Sequence, residues 1–176
     1  MILATGGLTL LFGNHETSDF WGDCLRIWWK SVRSKFRKVR RLVIYLDNGP
    51  KNSGRRTQFL KRMIEFADWS GLEIHLVYYP PYHSKYNPVE RMWGILENHW
   101  NGTLLVDRQT AIEWAKTMTW KGISPMGKIL GKGFGRRAKV AKKAFQLLRD
   151  RLHRNPLLPK WDVLIKPEHH HGQTSG

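Results

Sequence analysis

The feature that most constrains this chain is a run of two apolar segments flanking one helical pattern. LVIYL (Leu42–Leu46) and EIHLVYY (Glu73–Tyr79) are rich in β-branched and aromatic residues, which suits strands. Between them, Phe59, Met63 and Phe66 recur at helical spacing from about Arg55 to Trp69, and Gly71 supplies the stop. A strand, a helix and a second strand in so short a stretch predict a right-handed parallel crossover, with both strand ends on one edge of a sheet. The five consecutive apolar residues of LVIYL predict a strand covered on both faces. The edge where such strands end is where α/β proteins usually build their sites.

Upstream, LTLLF (Leu8–Phe12) reads as a strand, and the polar GNHETSDF opens a helix from about Ser18 to Lys35. Its apolar stripe is expected at Phe20, Cys24, Ile27, Trp28 and Val32. Downstream, Asn87-Pro88 starts a helix with Asn as N-cap and Pro at the first helical position, and Asn101-Gly102 ends it. Val89, Met92, Trp93, Leu96 and Trp100 form its stripe, with Glu90 and Glu97 off it. A helix around Arg108–Met118, a Gly-rich basic stretch from Gly122 to Gly135 and a basic helix from Arg136 to Leu152 follow. The Trp residues, including Trp28, Trp29, Trp93, Trp100, Trp114 and Trp120, are assigned to the core rather than to base stacking. EHHHGQTSG reads as a flexible tail.

Charge narrows the function. The 176 residues carry 30 Lys and Arg against 14 Asp and Glu, a formal +16, which favours a polyanionic partner: nucleic acid first, an anionic membrane surface second. Residues 114 to 149 hold ten Lys or Arg and no acid. Such a segment either neutralises phosphates, making binding strongly salt-dependent, or is a solvated basic face. No apolar run approaches the roughly 20 residues needed to cross a bilayer, the start lacks the basic n-region of a secretory signal, and Cys24 is alone. A cytoplasmic, nucleoid-associated protein is expected.

Two carboxylates stand out against this basic background. Asp47 ends the first strand of the crossover, ahead of the chain-breaking Asn48-Gly49-Pro50, and Glu90 lies in the first turn of the Asn87-capped helix. Both segments are expected to converge on one sheet edge, where the two acids could hold a hard divalent cation such as Mg²⁺, which takes carboxylate and phosphate oxygens. Each has an ordinary reading as well. Asn87-x-x-Glu90 fits a capping box, in which the Glu side chain reaches back to the N-cap N–H, and Asp-Asn-Gly-Pro is a common turn opening. Tyr82, His83, Ser84, Lys85 and Tyr86 precede that helix and suit backbone contacts to nucleic acid, the tyrosines either stacking on bases or packing. His83 is alternatively a general base. Asn48, His83, Lys85, Arg91 and Lys121 are the candidate nucleic-acid contacts.

IYLDNGPKNSGRRTQF followed by YYPPYHSKYNPVERMWGILENHWNG resembles the second half of the catalytic domain of DDE-type insertion-sequence transposases, in the broad group related to mariner elements. The likeness continues through TMTWKG and LPKWDV, nearly the whole chain. It implies a ribonuclease-H-like fold, a mixed α/β sheet flanked by helices, and DNA strand cleavage and joining with Mg²⁺ or Mn²⁺. It also implies transposon ends and target DNA as partners, and a homodimer acting on two ends. By motif position Asp47 matches the second acid of the triad and Glu90 the third.

The first acid belongs to a strand that the resemblance places before Leu8, since Leu8–Phe12 matches the third strand; Asp19 and Asp23 do not match its position. The expectation is therefore a C-terminal piece lacking its first strands and inactive alone. Residues 1–105 would form a partial catalytic domain, 106–166 a basic helical extension of it and 167–176 the tail. The competing expectation is a non-catalytic basic nucleic-acid-binding protein.

Overall fold

A computed structural model describes residues 1–80, 87–102, 104, 106–131 and 142–168. The elements in chain order are β1 (Thr9–Phe12), α1 (Ser18–Val32), β2 (Arg41–Leu46), α2 (Thr57–Ser70), β3 (Glu73–Tyr78), α3 (Pro88–Trp100), α4 (Arg108–Thr117), β4 (Met126–Ile129), α5 (Lys142–Gln146), β5 (Leu152–Arg154) and β6 (Asp162–Ile165). They divide between two compact units, Met1–Glu16 with Pro81–Gly135 and Thr17–Pro80 with Arg136–Gly176.

The unit built on Thr17–Pro80 holds a mixed four-stranded sheet in the order β2-β3-β6-β5. β2 and β3 run parallel, with Leu46 opposite Tyr78, as the strand–helix–strand pattern requires. β6 lies antiparallel to both β3 and β5. One face of the sheet, carrying Leu46, Ile74, Leu76, Tyr78, Val163 and Ile165, is buried. Phe59, Leu60, Met63, Phe66 and Ala67 of α2 are buried with it. α2 ends at Gly71, whose φ of +71° is left-handed and favours glycine.

The expectation that LVIYL is covered on both faces does not hold. Val43 and Tyr45, on the alternate face of β2, are 41% and 49% exposed. A continuous apolar run cannot distinguish a strand buried on two sides from one whose outer face carries a solvent-facing Val and Tyr. Tyr45 instead lies against Tyr79, ring centroids 5.9 Å apart.

The stripe of α1 also differs from the periodic reading. Its buried residues are Ser18, Asp19, Gly22, Trp29 and Val32, because its inner face meets a buried cation. Arg62 of α2, 3% exposed, pairs with Asp23 of α1 and with Glu65 one turn on at 2.8 Å, and lies 3.5 Å from Asp19. Gln58 donates to both Asp19 carboxylate oxygens. A polar interface between helices gives no apolar period to read.

In the other unit β1 and β4 form a two-stranded parallel sheet, Thr9 opposite Met126. Leu8, Leu10, Met92, Leu96, Ala115, Met118 and Trp120 form its core, with Met1, Phe12, Val89 and Trp100 packed against it. Trp93, expected in the stripe of α3, is 41% exposed, as is Trp114 at 38%; Trp29 and Trp120 alone of the six indoles named above are buried.

Between Gly122 and Gly135, read as a Gly-rich stretch without strand, the chain forms β4. The long basic helix expected from Arg136 is, in its described part, the five-residue α5, a 3-10 turn at Arg149–Arg151 and then β5. Leu147, within the expected helix, is among the most exposed apolar residues. Residues 132–141 and 169–176, which include the His tract, lie outside the described residues.

Candidate functional site

Asp47 follows the last residue of β2 and is exposed. Its Oδ1 accepts a hydrogen bond from Asn52 Nδ2 at 2.8 Å. Among the described residues, no cation pairs with its other oxygen and no donor reaches it. The polar loop after Asp47, NGPKNSGRR, is tied down at three carbonyls. Ser18 Oγ of α1 donates to that of Lys51 at 2.7 Å, the Tyr78 hydroxyl to that of Asn52 at 2.9 Å, and Arg154 Nη2 of β5 to that of Gly54 at 2.7 Å. Burial pushes the Tyr78 phenol well above its ordinary range. Burial likewise lowers the Arg154 guanidinium from its usual value, and Tyr78 opposes that shift.

Glu90 sits in the first turn of α3, also exposed. The helix start is set as the sequence predicts: Asn87 is the N-cap, its side chain accepting from Val89 N at 3.1 Å, and Pro88 is the first helical residue. The reciprocal half of a capping box is missing, since among the described residues the Glu90 side chain has no hydrogen-bond or ion-pair partner. Among the described residues, side-chain capping therefore rests on Asn87, and Glu90 is exposed. Asp47 and Glu90 belong to different units, and each is placed by its own.

Of the expected nucleic-acid contacts, Asn48 and Arg91 are exposed beside Asp47 and Glu90 in sequence. Lys121 is at the tip of a tight turn in which Trp120 and Ile123 exchange both backbone hydrogen bonds. Both central residues have positive φ, Lys121 at +49° and Gly122 at +77°, the pattern of a type I′ turn, where a lysine is unusual. Its Nζ is 5.9 Å from the Trp120 ring centroid. Tyr82, His83, Ser84, Lys85 and Tyr86 lie outside the described residues.

Asp19 and Asp23, the nearest upstream acids, are both engaged by Arg62. No group of three or more His, Cys, Asp and Glu side chains is gathered to hold a metal among the described residues. None of the described helices is long and apolar enough to cross a membrane. Sequence reasoning missed Asn52, Tyr78 and Arg154 around Asp47. Asn52 stands in a turn-rich polar run with no periodicity to mark it as buried, and the two others come from strands distant in sequence.

Comparison with protein families makes the chain a DDE-type transposase domain. It belongs to the family described as Rhodopirellula transposase DDE domain, whose model matches residues 3–167. No curated protein and no solved structure matches the chain.

Proposed function

We propose that the chain carries part of a ribonuclease-H-like catalytic centre of a mariner-related transposase, with Asp47 and Glu90 as its second and third acids. Its work is cleavage and joining of DNA strands at transposon ends and target. One observation carries this reading: in a chain of net charge +16, Asp47 at a strand end and Glu90 in a helix's first turn are both exposed and, among the described residues, without a cation. Acids in so basic a protein that are spared ion pairing are suited to an external cation. Carboxylate oxygens fit Mg²⁺ or Mn²⁺, and Asp47 Oδ2 in one unit and the Glu90 carboxylate in the other are each suited to be a ligand of such an ion. When bound, such an ion supplies activation of the attacking oxygen and stabilisation of the leaving one. The basic residues, Lys121 and Arg91 among them, hold the phosphate backbone and set the salt dependence.

With Asp19 and Asp23 committed to Arg62, neither serves as a third ligand, so the chain alone is expected to nick DNA poorly or not at all. Incubation of the purified chain with element-end DNA and Mg²⁺ tests this; cleavage abolished by Asp47→Ala would overturn the expected inactivity while supporting the assignment of Asp47. Mn²⁺ binding unaltered by both Asp47→Ala and Glu90→Ala would sink the assignment itself.

A second reading is favoured by the basic segment from 114 to 149, which holds ten Lys or Arg and no acid. Here the chain is a non-catalytic nucleic-acid-binding protein. DNA affinity that falls steeply with salt, together with no Mn²⁺ binding dependent on either acid, would select it.

A further inference from the structure

Asn52 is 3% exposed in the middle of a loop whose neighbours are polar and mostly open to solvent. Its amide is turned so that Nδ2 donates to Asp47 Oδ1, while its own Oδ1 is buried and has no hydrogen-bond partner among the described residues. Turning the amide over would set its oxygen against the carboxylate, so this orientation is dictated by Asp47. A buried acceptor left unpaired destabilises a fold, and it persists where something else requires the residue.

The surroundings are built to keep that pair in place. Asn52 N donates to the Gly49 carbonyl at 3.4 Å, and its own carbonyl is held by Tyr78, whose strand position is directly opposite Leu46, the residue before Asp47. Gly49 packs against both side chains: a Cβ there would lie 3.0 Å from Asn52 Oδ1 and 3.5 Å from Asp47 Oδ2. The loop therefore commits Oδ1 to a hydrogen bond and, among the described residues, leaves Oδ2 without one.

We infer that Asn52 is the positioning residue for Asp47, fixing the carboxylate so that it presents a single oxygen to a divalent cation. The inference rests on the reading of Asp47 as a metal ligand and adds to it the residue that orients the ligand. Partners that hold metal-binding carboxylates typically change metal affinity by about 10- to 100-fold when removed.

The test is Mn²⁺ binding to the purified full chain, followed by electron paramagnetic resonance of the free ion, with thermal unfolding measured on the same samples. Asn52→Leu removes the N–H donor and the orphaned acceptor with the same branched skeleton of four heavy atoms and keeps the backbone carbonyl for Tyr78. Affinity should fall about 10- to 100-fold with an unchanged or raised Tm, a combination that a purely structural role for the side chain would not produce. Unchanged affinity in Asn52→Leu while Asp47→Ala weakens binding overturns the positioning role alone; unchanged affinity in both overturns the reading of Asp47 as well. Should Asn52→Leu not fold, Asn52→Ala decides, since it removes the same donor without added bulk and leaves Gly49 against Asp47 unchanged. A several-fold loss supports the inference and wild-type affinity overturns it.

Discussion

Gly22 on α1 lies directly against the Arg62 side chain of α2: a Cβ at position 22 would come within 2.6 Å of Nε and 3.0 Å of Cβ. The two helices can approach only because the side chain is absent there, and the approach is what brings Arg62 to Asp19 and Asp23. Gly22→Ala should therefore destabilise the fold by about 1–3 kcal/mol through overpacking, despite the better helix propensity of alanine. Thermal unfolding should show a lowered Tm, and an unchanged one would mean that the helices can part without loss.

Removing the cation is expected to be worse than removing the whole cluster. Arg62→Met strands Asp19 and Asp23 beside an apolar side chain, and breaking a buried pair from one side typically costs about 3–5 kcal/mol. Adding Asp19→Asn and Asp23→Asn to Arg62→Met should recover much of that loss. Urea denaturation of the single and triple variants reads the difference, and equal midpoints would show that the charges are not coupled.

The start of α3 separates its two polar residues. Asn87→Ala removes the cap to Val89 N and should lower stability by about 1 kcal/mol. Glu90→Gln, with no capping bond to lose, should stay within about 0.5 kcal/mol of wild type, while Mn²⁺ affinity falls. Differential scanning calorimetry beside metal titration checks both; a Glu90→Gln loss as large as that of Asn87→Ala would restore a capping role.

Alkaline pH should weaken the unit that holds α1. Burial first and Asp23 second push the Cys24 thiol from its usual 9.0 up to about 12. Because the folded value is raised, the contribution is fully present below pH 9 and is lost as pH climbs towards 12. Urea unfolding at about pH 8 and about pH 10.5 should show a decline that is shallower in Cys24→Ala. Some decline remains in that variant, because the Tyr78 phenol is raised in the same sense.

At the Trp120–Ile123 turn, stability and binding should move apart. Lys121→Gly suits the positive φ at least as well as lysine, so Tm should hold or rise slightly. If Lys121 meets a phosphate, the slope of log affinity against log salt should drop by roughly 1. Fluorescence anisotropy with a DNA duplex over a salt series measures it, and an unaltered slope would remove Lys121 from the interface.

What could be read from the chain beforehand follows from which interactions are periodic. α2, β3 and the cap of α3 were legible because Phe59, Met63 and Phe66, Ile74 and Leu76, and Asn87-Pro88 each obey a local rule. The helical spacing of α1 misled, since its inner face is organised by Arg62, a residue on another helix. Val43 and Tyr45 look like core in a strand taken alone, and only the sheet's second face shows otherwise. Asp47 and Glu90 could be singled out as acids at element ends, whereas Asn52 owes its burial to Tyr78 and to Gly49, which no pattern in its own segment signals. β6 and β5 escaped detection because three or four residues are too few to establish alternation.

The placement of β6 has a consequence for the order in which the chain can mature. Asp162–Ile165 is not an edge addition but lies between β3 and β5. Chains emerge from synthesis N-terminus first, so β2, α2 and β3 are available long before the strand that covers the flank of β3. Until then Ile74 and Leu76 would display an unpaired, apolar strand edge, the kind of surface that recruits other chains. A ribosome-bound intermediate of this protein is thus expected to depend on holding factors or on rapid completion.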